Sequence, residues 1–176
     1  MNGHDFPRPT KGKNNCVMRP YELDDIPFMI NGICRYVPEL PHYKDITIAP
    51  SRIEYLLKNN FTNDSMMKAW VLIDPETNQL VGGVGGYCVP GMLTWDLVAQ
   101  DIFLFVLPEW RSWRNLLMLM TAYKNWAMAR GAKLIMASYT GGYRNETMAK
   151  IMVRQGYIEA GTLWMMRLDE AYLNRA

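Results

Sequence analysis

Apolar residues fall into short runs with two different periods. Asn15 to Arg19 reads as a first strand, ended by Pro20. Asp24 and Asp25 then offer an N-cap, Pro27 sits in the first helical turn, and Ile26, Met29, Ile30 and Ile33 recur at helical spacing, which predicts a helix to about Tyr36. Val37 to Pro50, with its prolines and a Tyr-His pair, reads as a loop. A second helix is expected from Pro50-Ser51, burying Ile53, Leu56 and Leu57. Lys68 to Ile73 and Leu80 to Cys88 alternate as strands around an Asp74-Pro-Glu-Thr-Asn78 turn, a hairpin signature. Leu97 to Val106 is a further strand. Trp113 to Arg130 is a long helix, with Leu116, Met120, Tyr123 and Ala127 on one face and Gly131 as its stop. Lys133 to Tyr139 reads as a strand, Arg144 to Gln155 as a helix ended by Gly156, and Tyr157 to Ala160 and Leu163 to Leu168 as two closing strands.

This order predicts an α/β (α+β) domain: a mixed, mostly antiparallel twisted sheet of about seven strands with helices on both faces. The unit from Leu97 to Tyr139 is expected to be a parallel strand-helix-strand crossover. Residues 1–14 read as a polar tail, 15–169 as one domain and 170–176 as a second tail.

Composition narrows the function classes. Lys and Arg number 19 against 17 Asp and Glu, a net charge of +2 that points to no polyanion partner. Cys16, Cys34 and Cys88 form no paired-ligand spacing, so neither a disulfide framework nor a zinc site is expected, and no metal elsewhere: His4 and His42 are isolated. The N-terminal stretch lacks the apolar core of a secretory signal, and no apolar run is long enough to cross a bilayer. A cytoplasmic location is the expectation. Gly82 to Gly86 contains no dinucleotide fingerprint, because no helix follows; in a strand it reads as a bulge or the close approach of a ligand. The methionines, 14 in all, read mostly as core filler, and Trp95, Trp110, Trp113 and Tyr143 as core aromatics or walls of an acceptor cleft.

The stretch from Val106 to Leu117 is the most informative. A strand ends, a short loop carries Arg111 and Arg114, and a long helix begins. Such a helix start presents bare N–H groups and the positive end of a macrodipole, which suits a phosphate or diphosphate; two arginines would add charge-assisted bonds. The segment VLPEWRSWRNLLMLMTAYKNWAMARGAKLI resembles the acetyl-CoA-binding segment of the GNAT acyltransferases, matching at Val106, Pro108, Arg111, Trp126, Ala127, Gly131 and Ala132. Asn145, Gly156 and Tyr157 match a downstream segment of the same family, and VMRPYELDDIP resembles its opening. The likeness, covering about residues 16–168, is greatest to small members borne by tailed phages.

The resemblance implies a GNAT-like fold with acetyl-CoA (or another acyl-CoA) as co-substrate and an N-acyltransferase activity by direct attack of an amine, carried by a small molecule or a protein. It places the cofactor against Val106, Arg111, Ser112, Trp113, Arg114, Asn115, Leu116 and Asn145. Three departures stand out. Ser112, Arg114 and Leu116 replace residues that are small in many members; Met152 stands at the usual tyrosine acid; and Gln100 stands at the usual glutamate base. Tyr139 and Tyr143 are then candidate acids. Asp101 is a candidate base, although a regular strand would turn it away from the face of Gln100 and only a bulge would alter that. Losing a positioned acid or base costs roughly 10²–10⁴-fold, and a thiolate leaves without strong help, so catalysis survives as an expectation. The alternatives are a non-catalytic structural or protein-binding module, virion-associated if the phage likeness holds, and a nucleobase-modifying acyltransferase, which the charge balance does not support. The likeness leaves a homodimer open, and, for a phage protein, a host-cytoplasm location.

Overall fold

The computed structural model describes residues 15–40, 43, 46–61, 66–137 and 145–159. Within them the strands are β1 (Val17–Pro20), β2 (Met67–Ile73), β3 (Leu80–Pro90), β4 (Leu97–Val106) and β5 (Leu134–Met136). The α-helices are α1 (Ile26–Tyr36), α2 (Pro50–Asn60), α3 (Trp113–Ala129) and α4 (Asn145–Arg154). The strands form one sheet in sequence order. Its first three junctions are antiparallel and the β4–β5 junction is parallel, as the intervening helix α3 requires.

The expected seven strands are five among the described residues. Tyr157 to Glu159 follow the turn after α4 without entering a strand, and the Leu163 to Leu168 strand lies outside the described residues. β5 is also shorter than Lys133 to Tyr139, and Tyr139 lies beyond the described stretch. Pro20, read as a strand terminator, is the last residue of β1, where it pairs with Trp70; β1 is an edge strand among the described elements, which is where a residue lacking N–H fits. Asp25 precedes α1 as expected, but its carboxylate does not cap that helix. It accepts two 2.7 Å bonds from the Arg19 guanidinium and one from the Glu22 N–H, tying β1 to the 3₁₀ turn Leu23–Asp25.

Sheet polarity is set by which helix each strand residue meets. A Cβ on Gly83 would touch Met29 of α1, and one on Gly85 would strike the rings of Phe103 and Phe61, the residue after α2. A Cβ on Gly86 would strike Tyr123 of α3. Helices α1 and α2 therefore cover one face and α3 the other, as expected. On the first face Tyr36 stacks on Phe105, and Phe61 meets Phe103 edge-on. On the second, Trp126 packs against Trp70 and Tyr123. The glycine run of β3 lies at a register slip against β4, the bulge that was one reading of it, and aromatic rings lie in the space its missing side chains leave.

The methionines divide: Met29, Met120 and Met148 are buried, while Met66, Met92 and Met128 are exposed, so core filling accounts for only part of them. Trp110 is buried, but Trp113 is half exposed and Trp95 is 93% exposed in the β3–β4 loop, against the core-packing expectation for both. Gly131 and Gly156 have φ of 82° and 88°, the left-handed geometry of a helix stop. Among the described residues no helix is long and apolar enough to cross a membrane, and no cluster of His, Cys, Asp and Glu could hold a metal.

Two outcomes follow. In Gly86→Ala the new methyl would collide with the Gln100 carbonyl and the Tyr123 ring; urea unfolding should show a loss of about 1–3 kcal/mol, and Tm should fall by several degrees. Burial raises the Tyr21 phenol to about 12, and its hydroxyl finds no partner. A raised acid stabilises the fold below its unfolded value, near 10. That contribution is lost as pH climbs from there through the folded value. Tyr21→Phe should therefore flatten the decline in stability between about pH 10 and 12, measured by denaturant titration at each pH.

Candidate acyl-transfer site

Strands β4 and β5 pair only at their starts: Val98, Ala99 and Gln100 meet Leu134, Ile135 and Met136. From Asp101 to Val106, β4 has no described neighbour on that side; the described pairing of the two strands ends at Gln100. Just beyond that point the register with β3 slips. Gly86 faces Asp101 and Gly85 faces Phe103, leaving Ile102 as an extra residue. This is a β-bulge, and it changes which face each later residue of β4 addresses.

Asp101, opposite Gly86, shares the face of Tyr123. Its charge raises the phenols of Tyr123 and Tyr157, behind burial as the larger cause in each. Gln100 lies on the opposite face, that of α1 and α2, opposite Tyr87. The Tyr87 hydroxyl donates to Gln100 Oε1 at 2.7 Å. The bulge falls after Asp101, so it does not bring Asp101 to the side of Gln100; it re-aims Phe103 and Phe105 instead.

Past the bulge β4 runs into a braced turn. The Leu107 N–H donates to the Val81 carbonyl at 2.8 Å, and Pro108–Trp110 form one 3₁₀ turn with the Trp110 ring buried. Arg111 Nε donates to the Val106 carbonyl at 2.9 Å, and its Nη2 to Glu39 at 2.6 Å. Arg35 meets Glu109 at 3.1 Å. The Glu109 carboxyl is held below its usual range by a backbone hydrogen bond within its own residue, and then by Arg35. Two ion pairs thus clamp the turn to α1 and the 3₁₀ turn Val37–Glu39. Arg111, read from the sequence as a phosphate ligand, already spends two donors on this clamp.

Ser112 is the N-cap of α3, its hydroxyl accepting from the Asn115 N–H at 3.2 Å. Such a cap contributes about 1 kcal/mol. It leaves the N–H groups of Trp113 and Arg114 at the positive end of a helix of 17 residues. Both of those side chains turn outward, Trp113 being 53% exposed, so their bulk does not close over the backbone. Asn115 is fully buried, its side-chain amide donating to the Trp110 carbonyl at 2.8 Å, which ties the helix start to the turn. Leu116 does not open to the helix end. With Leu104 and Met152 it packs on Met120, Met148 and Ile151, between α3 and α4.

The structure thus brings Val106, Arg111, Ser112, Trp113, Arg114 and Asn115 into one strand-turn-helix unit. It sets Leu116 beside Met152 and separates Asp101 from Gln100. Asn145 opens α4, but its side chain, and all of Tyr139 and Tyr143, lie outside the described residues. Sequence reasoning missed Tyr87, Glu39 and the buried role of Asn115. Asn115 alone left a trace, as a polar residue on the apolar side of a helix.

No family model matches the sequence, and no curated protein matches it. Solved structures match it in fold. An aminoglycoside acetyltransferase from an uncultured soil metagenomic sample, in complex with sisomicin, superposes with a TM-score of 0.65 at 17% identity, over 89% of this chain and 98% of that one. The ribosomal-protein-alanine N-acetyltransferase of Brucella melitensis biovar Abortus 2308 gives 0.65 at 16% identity, over 87% and 99%. AAC(6')-Iy, bound to the bisubstrate analogue CoA-S-monomethyl-acetylneamine, gives 0.63 at 13%, over 88% and 99%. The chain has an acetyltransferase fold. At these identities the likeness is one of architecture: a GNAT-like α+β fold with a five-stranded mixed sheet among the described residues.

The placement of Asp101 has a spectroscopic consequence. In Asp101→Asn the Tyr157 phenol loses a nearby negative charge, so its titration midpoint should move down, read by NMR of ring-labelled tyrosine. An unmoved midpoint would put Asp101 away from this face.

Proposed function

We propose that this protein is an acetyl-CoA-dependent N-acetyltransferase acting on a primary amine. The observation that carries the reading is the end of the described β4–β5 pairing at Gln100, followed by a braced turn into the Ser112-capped start of α3. The Trp113 and Arg114 N–H groups would take the diphosphate, and Arg114 would add charge. The backbone edge of β4 past its last described pairing with β5 would hold the pantetheine arm by strand-like hydrogen bonds, with Asn145 beside it. The amine nitrogen attacks the thioester carbonyl, the C–S bond breaks, and the thiolate leaves with the proton the amine gives up. The common acid and base positions hold Met152 and Gln100, so rate enhancement rests chiefly on positioning and on backbone donors. Tyr139, Tyr143 and Asp101 remain the candidate proton carriers.

A second reading is a non-catalytic module on the same fold. It is favoured by one observation: Leu116 and Met152 fill apolar space between α3 and α4.

Ligand binding separates the two. Acetyl-CoA at about a hundred times its Kd would stabilise the native state by about 2.7 kcal/mol, a shift of several degrees in Tm; no shift at millimolar acetyl-CoA supports the non-catalytic module. Trp113→Pro tests the helix start itself. Proline is favoured at the first helical position, and the extended Ser112 before it (φ −131°, ψ 154°) already suits a proline. The substitution removes one N–H donor and leaves the helix in place. Calorimetry should show acetyl-CoA affinity falling at least five-fold with Tm of the free protein nearly unchanged.

A further inference from the structure

On the α1/α2 face, Met29 lies against Gly83 and Phe61 against Gly85. Further along the same face lie Tyr87 and Val89 of β3 and Gln100 and Val98 of β4, all half-buried. Beyond them, on β5, Leu134 and Met136 pair with Val98 and Gln100 and share their face. These two are 54% and 48% exposed. The result is an apolar strip, walled at one end by Phe103, with one polar feature in it.

That feature is the Tyr87–Gln100 hydrogen bond, and it stands at the last described pairing of β4 with β5. Because the Tyr87 proton is committed to Gln100 Oε1, the phenolic oxygen presents its lone pairs outward. A neutral amine approaching this pair finds there an acceptor for one N–H, which would leave the nitrogen lone pair free to attack. The strip around it suits an apolar body. Burying its methylenes there is favourable, whereas a polycation would have to shed water against Met136, Leu134 and Val98 with no compensation from them.

We infer that this half of the sheet is the acceptor site, that Tyr87, oriented by Gln100, positions the amine, and that the acceptor is a primary amine on an alkyl or aryl body rather than a polyamine. The inference rests on the acetyl-transfer reading above. Chemically, the amine nitrogen forms the new C–N bond, the thioester C–S bond breaks, and the departing sulfur carries off the proton lost by nitrogen.

The test uses the full chain with acetyl-CoA, following thiol release with phenethylamine, n-octylamine and spermidine. Calorimetry with acetyl-CoA comes first. If acetyl-CoA does not bind, the acetyl-transfer reading fails and this inference falls with it. Given binding, kcat/KM for phenethylamine or n-octylamine should exceed that for spermidine at least ten-fold. Tyr87→Phe should raise the amine KM about ten-fold while the acetyl-CoA affinity and Tm stay put. Met136→Glu should reverse the preference towards spermidine. Spermidine used as well as the apolar amines, no acetylation of either apolar amine by a protein that binds acetyl-CoA, or an unchanged amine KM in Tyr87→Phe would each overturn the assignment. A Tyr87→Phe protein that loses acetyl-CoA affinity as well would show a structural role for Tyr87 and overturn its part in positioning.

Discussion

Ile102 is one residue more than β3 can pair, and much of the molecule is arranged around that surplus. A regular ladder would carry β4 along β3 with one alternation from end to end. The bulge resets it, so that Asp101 stays with Tyr123 on the α3 face while Phe103 and Phe105 turn to α1 and α2. Glycine makes this affordable: the ladder on either side of the slip is borne by Gly85 and Gly86, where a side chain would meet aromatic rings and a carbonyl. The bulged residue, Ile102, lies two positions past Gln100, the last residue of β4 with a described partner on β5, so the slip falls close to the end of that pairing.

Past Gln100 the chain is stiffened where it turns, as the diphosphate site proposed above would require, because backbone N–H groups serve an anion only if they are already aimed. The stiffening is distributed. Arg111 and Glu39, Arg35 and Glu109 hold the turn from the α1 side. Asn115 holds it from within, and Ser112 closes the helix start. The surface pairs are individually weak, but the buried Asn115 bonds are shielded from water and fix the geometry. Arg111 serves the scaffold here, which leaves the backbone and Arg114 to meet an anion.

The two faces of the sheet around Gln100 differ in chemistry. The α3 side holds Asp101 with two phenols raised by burial and by its charge, and an apolar junction of Leu116 with Met152. The α1/α2 side holds an aromatic row that gives way to a half-open apolar strip with a single polar pair. If the proposed acyl transfer holds, this asymmetry would let donor and acceptor each meet a surface of its own character.

Much of this was legible along the chain. Helical periodicity located α1, α2, α3 and α4 within a few residues, the Asp74–Asn78 turn announced the hairpin, and Gly131 and Gly156 marked helix stops, because these signals depend on neighbours close in sequence. The strand-turn-helix unit at Val106 to Asn115 was legible for the same reason. What local order cannot carry is register. Whether Gln100 faces Tyr87, whether Asp101 joins it, and whether Arg111 reaches Glu39 across 72 residues are settled only when strands pair and helices dock. One inserted residue reverses a face without changing composition or periodicity. Sequence therefore determined the elements and the place where one turns into the next; the tertiary structure decided which side chains meet around Gln100, because that depends on a slip of about 3.3 Å between strands that no local signal records.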